Sequence, residues 1–184
     1  MRRTFIAVDI PDRVKAAILE RTRMLARDWA KPVTAGQMHI TIFFLGYLDD
    51  ARVGKVEELM SGLSARRFTI SLAGLGTFPG REQRVVFAGI REGREALAEI
   101  HSRLLGPLSG LGIRMEQREF NPHLTVMRIK GTAAHMGETV EELISGSGGT
   151  EFGSFLCGSI RLKESVLGGH GAVHTEMFEK ELSD

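Results

Sequence analysis

One short pattern occurs twice in the chain, and it constrains the fold more than any other feature. His39-Ile-Thr41 and His123-Leu-Thr125 each stand at the start of a predicted strand, and each follows a predicted strand and helix. In both copies a further strand is predicted to begin near the phenylalanine that lies 29 residues after the histidine, Phe68 in the first copy and Phe152 in the second. This self-similarity predicts an internal duplication in which each copy is a β-α-β-α-β unit that carries one histidine.

Hydrophobic periodicity places the other elements around these two motifs. Helices are predicted from Pro11 to about Leu25, after the capping residues Asp49 and Asp50, around residues 97–105 with an end near Pro107, and around residues 136–144. Strands are predicted at residues 4–10, 38–45, 68–75, 84–90, 123–129, 154–162 and 173–178, with a loop at residues 29–37 and a flexible link at residues 145–149.

Length, composition and charge narrow the class of protein. The chain has 184 residues, of which 42% are hydrophobic and 26% charged, and these values are typical of one globular domain. The net charge of +1 does not indicate a general nucleic-acid binder, although 18 of the 24 basic residues are arginine, which suits phosphate contacts. A single cysteine, Cys157, excludes an internal disulfide. The first apolar run stops at Asp9, too early for a signal peptide, so a cytoplasmic protein with no membrane partner is expected.

The repeated motif indicates a particular chemistry. In a strand, residues i and i+2 point to the same face, so His39 and Thr41 project together, as do His123 and Thr125. If the two copies pack about a pseudo-two-fold axis, two imidazoles and two hydroxyls converge on one groove. One imidazole can take a proton from an attacking oxygen while the other gives one to a leaving oxygen. The threonine hydroxyls can stabilise charge on phosphate oxygens, so the pattern predicts cleavage of a phosphodiester without a metal.

The histidines have two other interpretations. A single His-x-Thr is well explained as a structural pair, but its repetition at equivalent places favours function. A zinc site would need a third ligand, and no clear one accompanies the two motifs. His101 and His135 lie in predicted helices and are expected at the surface, whereas His170 and His174 near the C-terminus fit either interpretation. No metal or cofactor is therefore predicted.

Four longer segments carry a resemblance to a known family. They are Arg3-Thr-Phe-Ile-Ala-Val-Asp-Ile-Pro11, Met38-His-Ile-Thr-Ile-Phe-Phe-Leu-Gly46, Gly74-Leu-Gly-Thr-Phe-Pro79 with Arg84-Val-Val-Phe87, and Phe120-Asn-Pro-His-Leu-Thr-Val-Met-Arg128. Together they resemble the two-histidine phosphoesterases, and within them the RNA 2′,3′-cyclic phosphodiesterases, which are the LigT or ThpR group also called 2′-5′ RNA ligases. The resemblance extends over nearly the whole chain.

The resemblance implies an α+β architecture. Residues 1–184 would form a single two-lobed phosphodiesterase domain with a duplicated, LigT-like fold. Two sheets would face a central cleft, with helices packed on their outer faces. The chain ends would share one lobe, and the middle of the chain would form the other.

The resemblance also implies an activity and a set of site residues. The expected reaction is hydrolysis of RNA or nucleotide 2′,3′-cyclic phosphate termini to 2′-phosphomonoesters, with His39 and His123 as the acid–base pair and no cofactor. His39 is expected to be the general acid toward the 3′ oxygen and His123 the general base for water, the reverse split being open. The expected substrate contacts are Thr41 and Thr125 with phosphate oxygens, Arg128 with phosphate or base, and Phe44 stacked on the base.

Other functions are compatible with the same residues. The substrate could instead be another small cyclic phosphate, such as ADP-ribose 1″,2″-cyclic phosphate, or the protein could bind nucleotides or RNA without turnover. The family commonly has a tyrosine where His174 stands, a departure that bears on substrate preference. The expected partners are RNA ends or nucleotides bearing a 2′,3′-cyclic phosphate, and a monomer is expected.

Overall fold

The computed structural model describes residues 1–78, 84–115, 119–130, 139–169 and 171–184. Within these ranges the helices are α1 (Asp12–Met24), α2 (Asp50–Ser61), α3 (Arg94–Gly110) and α4 (Val140–Ile144), with a short 3-10 helix at Ala35–Gln37. The strands are β1 (Arg2–Asp9), β2 (Ala30–Pro32), β3 (His39–Leu48), β4 (Phe68–Thr77), β5 (Val85–Glu92), β6 (Leu124–Ile129), β7 (Glu151–Cys157), β8 (Ser159–Gly168) and β9 (Gly171–Glu181).

All the strands belong to one antiparallel sheet with the order β7-β4-β5-β6-β3-β1-β8-β9, and β2 pairs with β6. The terminal half of the sheet is β3, β1, β8 and β9, and the central half is β7, β4, β5 and β6. Among the residues that the structure describes, only the pair Ile40–Leu124 joins β3 to β6, so the two expected sheets are continuous at a single point. The α+β class and the doubled order β-α-β-α, as β1-α1-β3-α2 and β5-α3-β6-α4, are confirmed.

The predicted strand at residues 154–162 is broken at Gly158. Its first part, β7, pairs with β4 at one edge of the sheet, and its second part, β8, pairs with β1 near the other edge. Because one residue links strands at opposite sides, the sheet must curl until those sides meet. A parallel bridge between Arg66 and Ser183 and a hydrogen bond from Leu182 N to Gly158 O (2.8 Å) close the curl at this end.

The helices cover the outside of the curl and supply much of the core. α1 packs against β6 and β7 through buried residues such as Val14 and Ile18. α2 begins where the Asp49 side chain accepts a hydrogen bond from Arg52 N (2.8 Å), and it packs against β3, β9 and α3. None of the helices in the described ranges is long and apolar enough to cross a membrane.

Two boundary predictions are wrong. α3 continues through Pro107 to Gly110, because Leu104 and Leu108 extend its buried stripe and their packing outweighs the lost backbone hydrogen bond. The predicted loop at residues 29–37 contains β2 and the 3-10 helix. Residues 131–138, where the predicted last helix begins, lie outside the described residues.

Candidate active site

The junction between β3 and β6 brings the two motifs together. Because Ile40 faces Leu124 in an antiparallel pair, the next residues along the strands set His39 opposite Thr125 and Thr41 opposite His123. Directly opposed residues share a face of the sheet, so this register directs all four side chains to one face, and Thr41 and His123 line the same cavity. The two histidines are diagonal neighbours, a relation that places Cα atoms about 7–8 Å apart.

A β-bulge follows each motif at the same distance. The register of β1 with β3 skips Ile42, and the register of β5 with β6 skips Val126, each three residues after its histidine. A regular strand would turn the residue five positions after the histidine away from the cleft. The bulge reverses the alternation and returns Phe44 and Arg128 to the cleft face. Both predicted contact residues therefore lie on the same face as the histidines.

The ring of His39 is half-buried among other rings. Its centroid lies 4.8 Å from that of Phe5 on β1 and 4.9 Å from that of His174 on β9, which meets it edge-on. Phe5 and His174 also contact each other, with their centroids 5.0 Å apart. His174, which sequence reasoning left undecided, therefore belongs to the cleft.

Charged side chains surround the same histidine. Asp9 faces His39 in the β1–β3 register, and its carboxylate accepts hydrogen bonds from Lys163 Nζ (2.6 Å) and Arg161 Nη1 (3.0 Å). Although burial raises the pKa of Asp9, these two cations hold it below its usual value, so the carboxylate is ionised at neutral pH. Sequence reasoning missed Lys163 and Arg161, because the pairing of their strand, β8, with β1 is a long-range contact that no local spacing signals.

Burial and positive charge keep His39 neutral. Burial lowers the pKa of His39 to about 4, and the charges of His174, Lys163 and Arg128 act in the same direction while Asp9 opposes them. The pKa of His174 is also lowered, first by burial and then by Lys163 and Arg128. Arg128 thus acts on both rings, and this half of the cleft is suited to an anion.

His123 has different surroundings. Its ring contacts Phe78 edge-on at a centroid distance of 4.8 Å and Phe87 at 5.6 Å. Its Nδ1 lies 2.9 Å from the backbone carbonyl oxygen of Asn121. A carbonyl only accepts, so Nδ1 carries a proton and Nε2 is the atom that can gain or lose one.

A cavity of about 330 Å³ opens beside His123 and Thr41. His39 is not among the described residues that line it. Its walls are largely aromatic, with a carboxylate and an amide at one side, and are formed by Phe43, Phe44, Phe78, His101, Leu105, Met115, Glu119, Phe120 and Asn121 together with Ile42. A mainly apolar cavity of this size with a few polar groups suits a flat heterocycle attached to a phosphate.

The predicted surface position of His101 is wrong. Its helical position is confirmed, but the ring is not a surface group: it stacks between Phe43 (centroids 4.3 Å apart) and Phe120 (4.2 Å). Burial lowers the pKa of His101, which keeps the ring neutral as part of the cavity wall. His135 and His170 lie outside the described residues. Within the described ranges, no three His, Cys, Asp or Glu side chains group as a metal site.

Comparison with known proteins gives matches over most of the chain. The model of the 2′-5′ RNA ligase superfamily matches residues 10–165. A relative from Aeropyrum pernix named RNA 2′,3′-cyclic phosphodiesterase is 34% identical, over 81% of this chain and 84% of its own length. A relative of the same name from Archaeoglobus fulgidus is 30% identical over 95% of this chain and 97% of its own.

Solved structures share the architecture. A crystal structure of a protein from Thermus thermophilus superposes with a TM-score of 0.80 at 26% identity, covering 97% of both chains. Escherichia coli LigT in complex with 3′-AMP gives a TM-score of 0.85 at 22% identity, covering 100% of this chain and 99% of that one. The fold of LigT is therefore the fold of this protein. Taken with the extent of the family match, this shows that the chain belongs to the 2′-5′ RNA ligase superfamily.

Proposed function

We propose that the protein hydrolyses 2′,3′-cyclic phosphates at RNA ends or on nucleotides to 2′-phosphomonoesters. The observation that carries the proposal is the register of β3 against β6, which sets two imidazoles and two hydroxyls on one face of the sheet. The activity in the names of the Aeropyrum pernix and Archaeoglobus fulgidus relatives supports the same reaction.

The reaction needs one proton removed and one delivered. One imidazole takes a proton from water as its oxygen attacks phosphorus, and the bond from phosphorus to the 3′ oxygen breaks on the opposite side. The other imidazolium gives its proton to that oxygen, which becomes the 3′-hydroxyl, while the phosphate stays on the 2′ oxygen. Thr41 and Thr125 donate hydrogen bonds to the non-bridging oxygens, and Arg128 balances their charge.

The division of roles between the histidines depends on protonation before substrate arrives. With a pKa of about 4, His39 is neutral in the free protein at pH 7, and neutral imidazole is the form of a general base. The role expected from the resemblance, His39 as acid, requires the substrate anion to raise this pKa. Either assignment needs one neutral and one protonated imidazole, so kcat/KM should pass through an optimum and fall at both lower and higher pH.

The cavity beside His123 supports a place for the nucleoside. Phe44 is 53% exposed and lines the cavity, so its ring is available to stack on a base. RNA ends and free nucleotides both present such a base next to the cyclic phosphate. That the protein acts as a monomer in the cytoplasm stays a prediction.

The test is turnover of 2′,3′-cyclic AMP by the full chain, with the product identified by chromatography. We expect the 2′-phosphate, a rate unchanged by EDTA, and loss of turnover in His39→Ala and His123→Ala. Lys55→Ala, at an exposed residue of α2 that does not line the cavity, is the control and should retain the rate. Undiminished turnover in both alanine variants would contradict the proposal, and nucleotide binding without turnover would favour a binding module.

Parallel assays with ADP-ribose 1″,2″-cyclic phosphate test the other small cyclic phosphate. If kcat/KM is higher on that substrate than on 2′,3′-cyclic AMP or on RNA with a cyclic end, the substrate class is the small cyclic phosphate and not RNA termini. The acid–base pair would keep the same roles in that case.

A further inference from the structure

The tautomer of His123 depends on a segment without regular structure. Residues 119–123 belong to neither a helix nor a strand. The Asn121 carbonyl that accepts from His123 Nδ1 lies within this segment, two residues before the histidine. A shift of that carbonyl would let the ring rotate or exchange its proton between the two nitrogens. Something outside the segment must therefore hold Asn121 in place.

Arg94 makes that contact. Both terminal nitrogens of its guanidinium donate to Asn121 Oδ1, at 3.0 Å from Nη1 and 3.1 Å from Nη2. Both charged donors therefore bind the side-chain oxygen of Asn121, and the backbone carbonyl of Asn121 accepts the hydrogen bond from the His123 ring. The two contacts connect the first turn of α3 to the imidazole through a single residue.

The other end of this connection is rigid. Gly93 has φ +90°, and a side chain there would lie 2.5 Å from the Thr69 carbonyl oxygen, so the chain enters α3 in one conformation. Leu97 N donates to Gly93 O (3.0 Å), and Leu97 and Ile100 are buried in the core. Arg94 thus stands on a fixed helix end and reaches out to an irregular segment.

We propose that Arg94 is a positioning residue for His123, acting through Asn121. It holds the Asn121 carbonyl where it accepts the Nδ1 proton, which keeps Nε2 directed at the substrate. This inference rests on the proposed function for its catalytic consequence, but the His123 tautomer can be measured without any substrate. Arg94 does not line the cavity, so its loss should affect kcat more than KM.

The experiment is a double-mutant cycle on 2′,3′-cyclic AMP with Arg94→Ala, Asn121→Ala and the double variant. Misplacing a catalytic group is costly, so each single change should lower kcat about 10-fold, with KM nearly unchanged in Arg94→Ala, whose side chain does not line the cavity. The double variant should lose no more than either single one, because both remove the same connection. Arg94→Lys and Asn121→Asp keep a donor and an acceptor and should recover most of kcat.

The matched control is Arg91→Ala. Arg91 is also an exposed arginine near the start of α3, but it pairs with Glu151 (2.9 Å), away from the cavity. This variant should retain kcat. Wild-type kcat in Arg94→Ala, or losses that add in the double variant, would overturn the proposal.

A spectroscopic readout separates positioning from general loss of structure. Nitrogen-15 NMR of the ligand-free protein should find the neutral His123 ring with its proton on Nδ1, and Arg94→Ala should lower that population while the unfolding temperature stays unchanged. An unaltered tautomer in Arg94→Ala would overturn the inference. If the wild type fails to turn over cyclic phosphates, the proposed function fails, and the tautomer measurement still decides the role of Arg94.

Discussion

The two halves of the cleft carry the same motif in opposite settings. In the terminal half, Asp9 of β1 faces His39, and Lys163 and His174 come from the two strands beyond it. In the central half, His123 meets aromatic rings and the edge of a cavity. The duplication places identical side chains at equivalent positions, and the neighbouring strands then make them chemically different. That difference suits an acid–base pair, in which one imidazole starts neutral and the other protonated.

Removing either histidine should have the largest effect. We expect His39→Ala and His123→Ala each to lower kcat/KM by about 10² to 10⁴, the usual contribution of a general acid or base. Steady-state assays on 2′,3′-cyclic AMP measure this loss. Loss of activity in only one of the two variants would show that the two halves of the cleft do not share the proton transfer.

The free energy of unfolding should depend on pH through the protonation of His39 in the terminal half. Its pKa is about 4 in the folded protein against 6.5 for an ordinary histidine, so protons bind the unfolded chain more tightly. The stabilisation is complete above pH 6.5 and is lost as the pH falls toward 4, by about 3 kcal/mol in total. Urea unfolding between pH 7.5 and 4.5 measures it. His39→Gln should flatten this dependence, whereas His123→Gln serves as the comparison in the other half; equal slopes in all three proteins would contradict the assignment.

Phe44 and Arg128 occupy equivalent positions after the two bulges, and salt should distinguish the stacking contact of Phe44 from the charge contact of Arg128. Arg128→Ala and Phe44→Ala should each lower kcat/KM about 10-fold, as expected for one lost phosphate contact or one lost stacking ring. The effect of Arg128→Ala should shrink as salt is added, because salt screens the charge of this exposed side chain, and that of Phe44→Ala should not. Lys130→Ala, at an exposed basic residue on the same strand end, is the control. Identical salt dependence in both variants would contradict the assignment of a charge contact to Arg128 and a stacking contact to Phe44.

The sequence predicts the site well where local spacing decides it. The i, i+2 relation places each threonine beside its histidine, and apolar periodicity locates β3 and β6 to within a residue at their starts. The bulges at Ile42 and Val126 escape prediction, because an ordinary β-branched residue sits at each and only pairing with a neighbouring strand reveals the skip. The bulges nevertheless decide whether Phe44 and Arg128 reach the cleft.

Three further features of the fold and the site depend on tertiary contacts that no local sequence pattern predicts. The buried positions change phase at Gly158, from Phe155 and Cys157 to Ile160 and Leu162, but nothing local shows that the chain crosses to the other side of the sheet there. The contact from Arg94 to Asn121 joins residues 27 apart in the chain through a hydrogen bond between surface side chains, and no spacing rule signals it. The role of His101 depends likewise on Phe43 and Phe120, which come from separate parts of the chain.

The position of β1 between β3 and β8 has a consequence for synthesis on the ribosome. β1 emerges first and can pair with β3 early, but its other edge has no partner until Ser159–Gly168 has been translated. Phe5 and Ile6 are buried in the finished protein, so for most of synthesis this strand offers an open, apolar edge to other chains. Nascent chains that end before Ser159 should therefore depend on chaperones and aggregate when released, and the full chain should not.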